Sequence, residues 1–427
     1  MADCISTLPD DLLHHVLSFL PAHDAVRTCR LARRWRHLWK SARALRVTGK
    51  GCTNEWFVNF VDSLLLLRDP SERLDSFELD LNYGDDFDSK DFDFDSKVFL
   101  PVPANEEDVN RWFRLVLLCR PRVLLALRTD YRLSLANVPL ISQHLTRLEL
   151  RRLYVHSSTL DFSGCPALLR LRMEDCTICG NISSPFLKHL STIYSSFRAG
   201  AFRARVYLPN LVSLELDGFY GRTPVPIESM SLLTSAIVRI NTCLDCCRKN
   251  DYGGCDDRQC HGCYESESGA HDRRGESVLL KGLSQVASLE LWVHPQVVCM
   301  LACTCFFGLW DLKLCPTFSK LKTLLLSNWC PGIAGDLNIL NCFLKHSPIL
   351  EKLTIQLSEE PKVPVKIQRS YTPSKQSFAF THLKIVEIKC DKVDGWAHKV
   401  LDILSTFNIP LEKVTIQRGN KNFWILM

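Results

Sequence analysis

The chain has little that points to chemistry of its own. No Gly-x-Gly-x-x-Gly follows a candidate strand, and there is no phosphate-cradling loop, no Gly-x-Ser-x-Gly elbow and no His-Glu-x-x-His helix. The 13 histidines are scattered. A formal net charge of +5 over 427 residues is too small to argue for nucleic acid or an anionic lipid surface. The apolar run Val297–Trp310 has 14 residues, too short to cross a bilayer. No basic stretch followed by an apolar core and a small-residue cleavage site opens the chain, so the expectation is a protein of the cytoplasm or nucleus with reduced thiols. Low hydrophobicity is also missing: 46% hydrophobic and 23% charged residues exclude a wholly disordered chain.

What is present begins at the N-terminus. Pro9 suits a helix start, and Asp10 and Asp11 place negative charge where the helix dipole favours it. Leu12, Leu13, Val16, Leu17 and Leu20 then form a wide apolar stripe, and Pro21 stops the helix. Asp24 is a candidate N-cap for a second helical segment running towards Trp39. So few helical residues cannot bury that much Leu and Trp alone, and should leave apolar surface for a partner.

The run Leu8-Pro9-Asp10-Asp11-Leu12-Leu13 through Val16-Leu17-Ser18-Phe19-Leu20-Pro21, then Asp24-Ala25-Val26-Arg27-Thr28-Cys29 and Arg34-Trp35-Arg36-His37-Leu38-Trp39, resembles a plant-type F-box over roughly residues 3–47. The resemblance implies docking on the Skp-type adaptor, and through it on the cullin, of a ubiquitin ligase. It implies further that Leu8, Pro9, Leu12, Leu13, Val16 and Leu20 form the adaptor-facing surface, with Val26, Trp35 and Trp39 completing it or the core beneath. The segment Ala25–Arg46 holds eight Arg and Lys residues and no acid, so a nucleic-acid-binding helix is the alternative to a solvated basic face.

Asn54–Arg68 and Glu106–Cys119 carry apolar residues at helical spacing, and Asp75–Leu81 alternates like a strand. Between them Asp91-x-Asp93-x-Asp95 has a calcium-loop beginning, but Ser96 and Val102 stand where the turn Gly and the bidentate Glu belong, so a solvated loop is expected. From Leu145 a Leu-x-x-Leu-x-Leu beat recurs, with central positions 148, 171, 214, 289, 324, 353, 386 and 414. The separations run from 23 to 75 residues, and the larger gaps have room for degenerate units. A short strand with one apolar edge cannot bury it alone, so neighbours stack in parallel and share a core. A conventional α/β domain is the rival reading.

The beat resembles an irregular leucine-rich-repeat array, and the end of the chain resembles the FBD-like segment that follows such repeats in many plant F-box proteins. The expected fold class is therefore α/β: an all-helical F-box at 1–48, linker helices and first repeats at 49–120, leucine-rich repeats at 121–357, and terminal repeats or a cap at 358–427. The expected solenoid is curved, with a parallel sheet on its concave face. The function implied is that of a non-catalytic substrate-recognition subunit of a Skp–cullin–F-box ubiquitin ligase, with a protein as substrate and no membrane partner. A leucine-rich-repeat scaffold outside any ligase and an enzyme on an α/β scaffold are the other readings.

A Cys-rich insertion at 242–276 interrupts the beat. Cys243-x-x-Cys246 and Cys260-x-x-Cys263 are chelating pairs separated by 13 residues, a little under the usual zinc spacing. Four thiolates make a structural zinc site, with His261 or Cys255 able to replace one; the alternative is a polar insertion without metal. No other cofactor is expected.

Overall fold

The computed structural model describes residues 8–49, 54–69, 71–81, 104–128, 134–135, 140–155, 159–197, 204–221, 225–226, 230–240, 280, 282–293, 316–329, 334–358, 382–391 and 395–418. The insertion with Cys243, Cys246, Cys260 and Cys263, the acidic loop and Val297–Trp310 lie outside them. The chain forms two compact units, residues 1–189 and 190–427.

The first unit opens with two helices, α1 (Asp10–Ser18) and α2 (Ala22–Arg27), followed by three 3-10 turns ending at Ser41. Asp24 lies inside the first turn of α2 and is not its cap; that helix starts at Ala22, directly after Pro21. The segment is also not helical to its end. Ala44–Thr48 is a strand, because Leu45 and Val47 alternate inward between Arg46 and Thr48. It pairs in parallel with Ser76–Asp80, then come Val123–Arg128, Arg147–Arg151 and Arg170–Glu174, giving five parallel strands in one ladder. Helices α3 (Asn54–Leu66) and α4 (Glu106–Leu118) make the first two crossovers. A capping box starts α4: Asn105 accepts from the Asp108 amide at 2.8 Å, and the Asp108 carboxylate accepts from the Asn105 amide at 3.3 Å. Asn105→Ala should lower the denaturation midpoint by a cost of about 1 kcal/mol, read by chemical unfolding.

Later crossovers in this unit are tighter. Three further parallel pairings replace the helix: Ser134–Leu135 with Tyr154–Val155, Tyr154–Val155 with Thr177–Ile178, and Thr159–Asp161 with Asn181–Ser183. The buried Cys176 thiol donates to the Leu150 carbonyl at 3.4 Å, and burial pushes its pKa up to about 12. That thiol stays protonated and acts as a short apolar residue with a donor.

The second unit repeats the same logic. Ser213–Gly221, Ser235–Ile240, Ser288–Val293, Thr323–Trp329, Lys352–Leu357, Ile385–Cys390 and Val414–Arg418 are stacked in parallel, with His189–Ile193 beside Ser213–Gly221. Helices α5 (Ala334–His346) and α6 (Gly395–Thr406) form two of its crossovers. Leu214, Leu289, Leu324, Leu353 and Val386 fall in one register and are buried, as are Leu148 and Leu171 in the first unit. Val414 departs from the expectation. It is only half-buried, and Ile416 is exposed, because their strand is the last of the ladder and no described strand covers it. Cys342 departs too, being disulfide-bonded, whereas six other described cysteines are free thiols.

One backbone feature recurs where strands end. Four residues after the central core position the chain turns through left-handed φ: Arg152 (53°) and Asp175 (56°) in the first unit, Tyr194 (48°), Gly218 (60°) and Asn328 (55°) in the second. At two of these turns the amide reaches the next strand's end: Arg152 donates to the Glu174 carbonyl at 2.9 Å and Tyr194 to the Asp217 carbonyl at 2.8 Å. Only at Gly218 is this turn free of Cβ strain. Gly218→Ala should therefore destabilise the chain by about 1 kcal/mol, seen as a lower denaturation midpoint.

Candidate functional site

Helix α1 has two apolar faces, and the fold covers one. Leu13 and Leu17 are fully buried and form a core with Ala25, Trp35 and Leu38, against which Leu8, Leu20 and Ala32 pack. Leu12, Val16 and Phe19 recur at i, i+4 and i+7 on the neighbouring side and are 49%, 44% and 62% exposed. Leu31, in the turn after α2, is exposed as well. Four large apolar side chains thus stand in water on a segment whose own core is closed.

The expected surface residues divide accordingly. Leu12, Val16 and Pro9 are exposed; Leu8, Leu20 and Val26 are half-buried. Leu13 is not at the surface, because it is part of the closed core, and Trp35 and Trp39 are buried beneath. Phe19 and Leu31 belong with the exposed set. Leu12 and Val16 already marked the stripe in sequence; Phe19 continues it at helical spacing, and the clue to it was Leu17 and Leu13 filling the other side.

Polar contacts hold this segment's shape. Arg34 donates to the Asp10 carboxylate at 2.5 and 3.1 Å, Arg43 lies 3.8 Å from Asp11, and Ser41 Oγ is 3.0 Å from His14 Nε2. Of the eight basic residues in Ala25–Arg46, Arg27, Arg34, Arg43 and Arg46 lie within 4 Å of Asp24, Asp10, Asp11 and Glu78. Such exposed pairs contribute about 0–1 kcal/mol each. Their effect here is to neutralise half of the charge that a phosphate backbone would need.

The segment is continuous with the first repeats. Arg68, at the end of α3, is 5% exposed and donates to the carbonyls of Ala42 (2.5 Å), Arg73 (3.3 Å) and Glu72 (3.4 Å). Burial lowers its pKa from the ordinary value, against the opposite pull of Cys119, Glu72 and Asp69. The Asp69 amide donates to the Lys40 carbonyl, the Asp75 amide to that of Arg43, and Pro21 bridges to Arg46.

The family model for the F-box domain matches residues 5–46. The N-terminal segment is an F-box. An F-box/LRR-repeat protein of Arabidopsis thaliana is 26% identical over 369 residues, which is 77% of this chain and 74% of that protein. A second Arabidopsis F-box/LRR-repeat protein, named as putative, is 43% identical over 65 residues, 15% of this chain and 14% of its own length. A putative FBD-associated F-box protein of the same plant is 28% identical over 232 residues, covering 50% of this chain and 52% of the relative. The homologues of this chain are thus F-box/LRR-repeat and FBD-associated F-box proteins, and the stacked parallel strands behind the F-box have the form of a leucine-rich-repeat array.

Among the described residues no three His, Cys, Asp or Glu are grouped to hold a metal ion, and no helix is long and apolar enough to cross a membrane.

Proposed function

We propose that the chain is a substrate-recognition subunit of a Skp–cullin–F-box ubiquitin ligase, its F-box docking on the Skp-type adaptor and its repeats holding a protein substrate. The observation that carries this reading is the uncovered stripe Leu12, Val16 and Phe19 above a finished core. Burying one such side chain against a partner contributes about 1.5–3 kcal/mol, so the stripe is a natural anchor for an apolar groove. The subunit carries out no bond chemistry. It raises the substrate's effective concentration near the ubiquitin-loaded enzyme held by the same assembly.

The nucleic-acid reading is weakened by the ion pairs that engage half of the basic side chains in Ala25–Arg46. The test is co-expression of the full chain with a Skp-type adaptor. A stoichiometric complex that survives size-exclusion chromatography is the expected result. Separate elution of the two proteins rejects the ligase reading.

A further inference from the structure

The strand face of the first unit is strongly charged, and its charges are arranged in rows. Leu148, Leu150, Leu171 and Met173 point into the core, so Arg147 and Arg151 on one strand and Arg170, Arg172 and Glu174 on the next stand on the opposite face, where Glu149 lies buried beneath its arginine partners. In the parallel register Arg147 lies opposite Arg170, Glu149 opposite Arg172, and Arg151 opposite Glu174. The backbone extends the first row. The His189 amide donates to the Leu169 carbonyl as the Arg170 amide does to that of Thr146, so His189 occupies the next place after Arg147 and Arg170. Lys188 stands beside it.

Three of the outward arginines have acids. Arg147 pairs with Glu149, Arg151 with Glu149 and Glu174, and Arg172 with Glu174. Arg170 and Lys188 have no acid within 4 Å among the described residues. Five cations on this face thus meet two carboxylates. Like charges opposite one another on neighbouring strands, about 4.8 Å apart, destabilise a sheet. The field is felt at His189, whose pKa is lowered by burial and by the nearby Arg170 and Lys188. An excess of this sign, placed where it costs stability, fits an anionic partner.

We infer that the row Arg147, Arg170 and His189, with Lys188, docks a carboxylate-rich segment of the protein substrate, an inference that rests on the proposed substrate-binding role of the repeats. Arg170 presents a planar fork that matches a carboxylate in two hydrogen bonds, and Lys188 adds a point charge at the edge. Two features favour acidic peptide over nucleic acid. No Phe, Tyr or Trp side chain stands on these rows to stack a base, and the part-exposed Glu174 would repel a continuous phosphate backbone. Acidic side chains spaced along an extended peptide can meet the unpaired cations and pass that carboxylate.

The test uses the full chain and fluorescence anisotropy with three labelled probes: octaglutamate, octalysine and a short single-stranded DNA. Octaglutamate is expected to bind, octalysine is not, and binding should weaken as salt rises. Arg170→Glu with Lys188→Glu should raise the octaglutamate Kd about tenfold or more. Arg170→Gln with Lys188→Gln should weaken binding less and leave the thermal midpoint unchanged or higher, since a like-charge contact is removed. No octaglutamate binding, equal binding by the charge-reversed variant, tighter binding of DNA, or a lowered midpoint in the Gln variant overturns the inference. Adaptor recovery is scored on the same preparations. Octaglutamate binding by a chain that fails to recover the adaptor supports the strip while rejecting the ligase, and adaptor recovery without octaglutamate binding rejects the strip alone.

Discussion

Leu12→Asp combined with Val16→Asp abolishes recovery of the Skp-type adaptor while leaving the chain folded. Both side chains are about half exposed, so replacing them removes little of the chain's own core and costs about 0.5 kcal/mol each in helix propensity. In a complex they would be buried anchors, each worth about 2 kcal/mol or more when truncated, and a buried unpaired carboxylate adds to the loss. The apparent affinity should fall by a factor of about 100 or more. Leu13→Asp provides the contrast. Leu13 is fully buried in the F-box core, so that variant should lose adaptor binding together with the near-UV signal of Trp35 and Trp39. Pull-down and circular dichroism on both variants separate a docking surface from a folding defect. Full adaptor recovery by the double Asp variant would remove α1 from the interface.

Arg68→Ala is expected to destabilise the first unit by about 3 kcal/mol or more. The guanidinium is buried and serves three carbonyls, those of Ala42, Glu72 and Arg73. Hydrogen bonds to a charged group contribute about 1.5–3 kcal/mol, and each abandoned buried carbonyl carries its own desolvation cost. Arg68→Lys should recover only part of the loss, because one ammonium cannot span the same fork. Hydrogen exchange locates the effect: amides of Ser76–Asp80 and of Ala44–Thr48 should lose protection first. Uniform protection across both strands in the Ala variant would contradict the assignment.

The sequence made the repeats legible wherever three conditions held together: a buried residue three before the central position, an apolar centre, and an apolar residue two beyond. Leu211, Leu214 and Leu216 meet all three. The units that escaped notice keep the rhythm with smaller or polar residues. Leu187, Leu190 and Thr192 belong to one, with Thr192 fully buried and its hydroxyl 3.5 Å from the Glu215 carbonyl. Leu233, Ala236 and Val238 belong to another. A hydroxyl that finds a carbonyl, or an alanine where the stack is narrow, satisfies the core without advertising it. The left-handed turns were illegible for a similar reason. Glycine marks one of them, whereas Arg152 and Tyr194 accept the strain because the next strand's carbonyl rewards the turned amide. In the F-box, periodicity found the apolar stripe but could not divide it. Whether Leu13 or Leu12 faces inward depends on where Trp35 and Leu38 return, which is tertiary information.

The junction between the F-box and the first repeats sets a limit on what the proposed ligase subunit selects. The last 3-10 turn ends at Ser41 and the first strand starts at Ala44, and Arg68 clamps the carbonyl between them. A floppy tether would let a captured substrate sweep a volume and offer any lysine to the transfer enzyme. A stiff arm is a ruler: it presents whatever lies at one distance from the docking face. Two substrates held equally well by the first repeats would then be modified at unequal rates, according to where their lysines fall along that ruler. Lengthening the span between Ser41 and Ala44 with Gly and Ser should blur this choice of lysine more than it weakens substrate capture, and mapping the modified sites would reveal it.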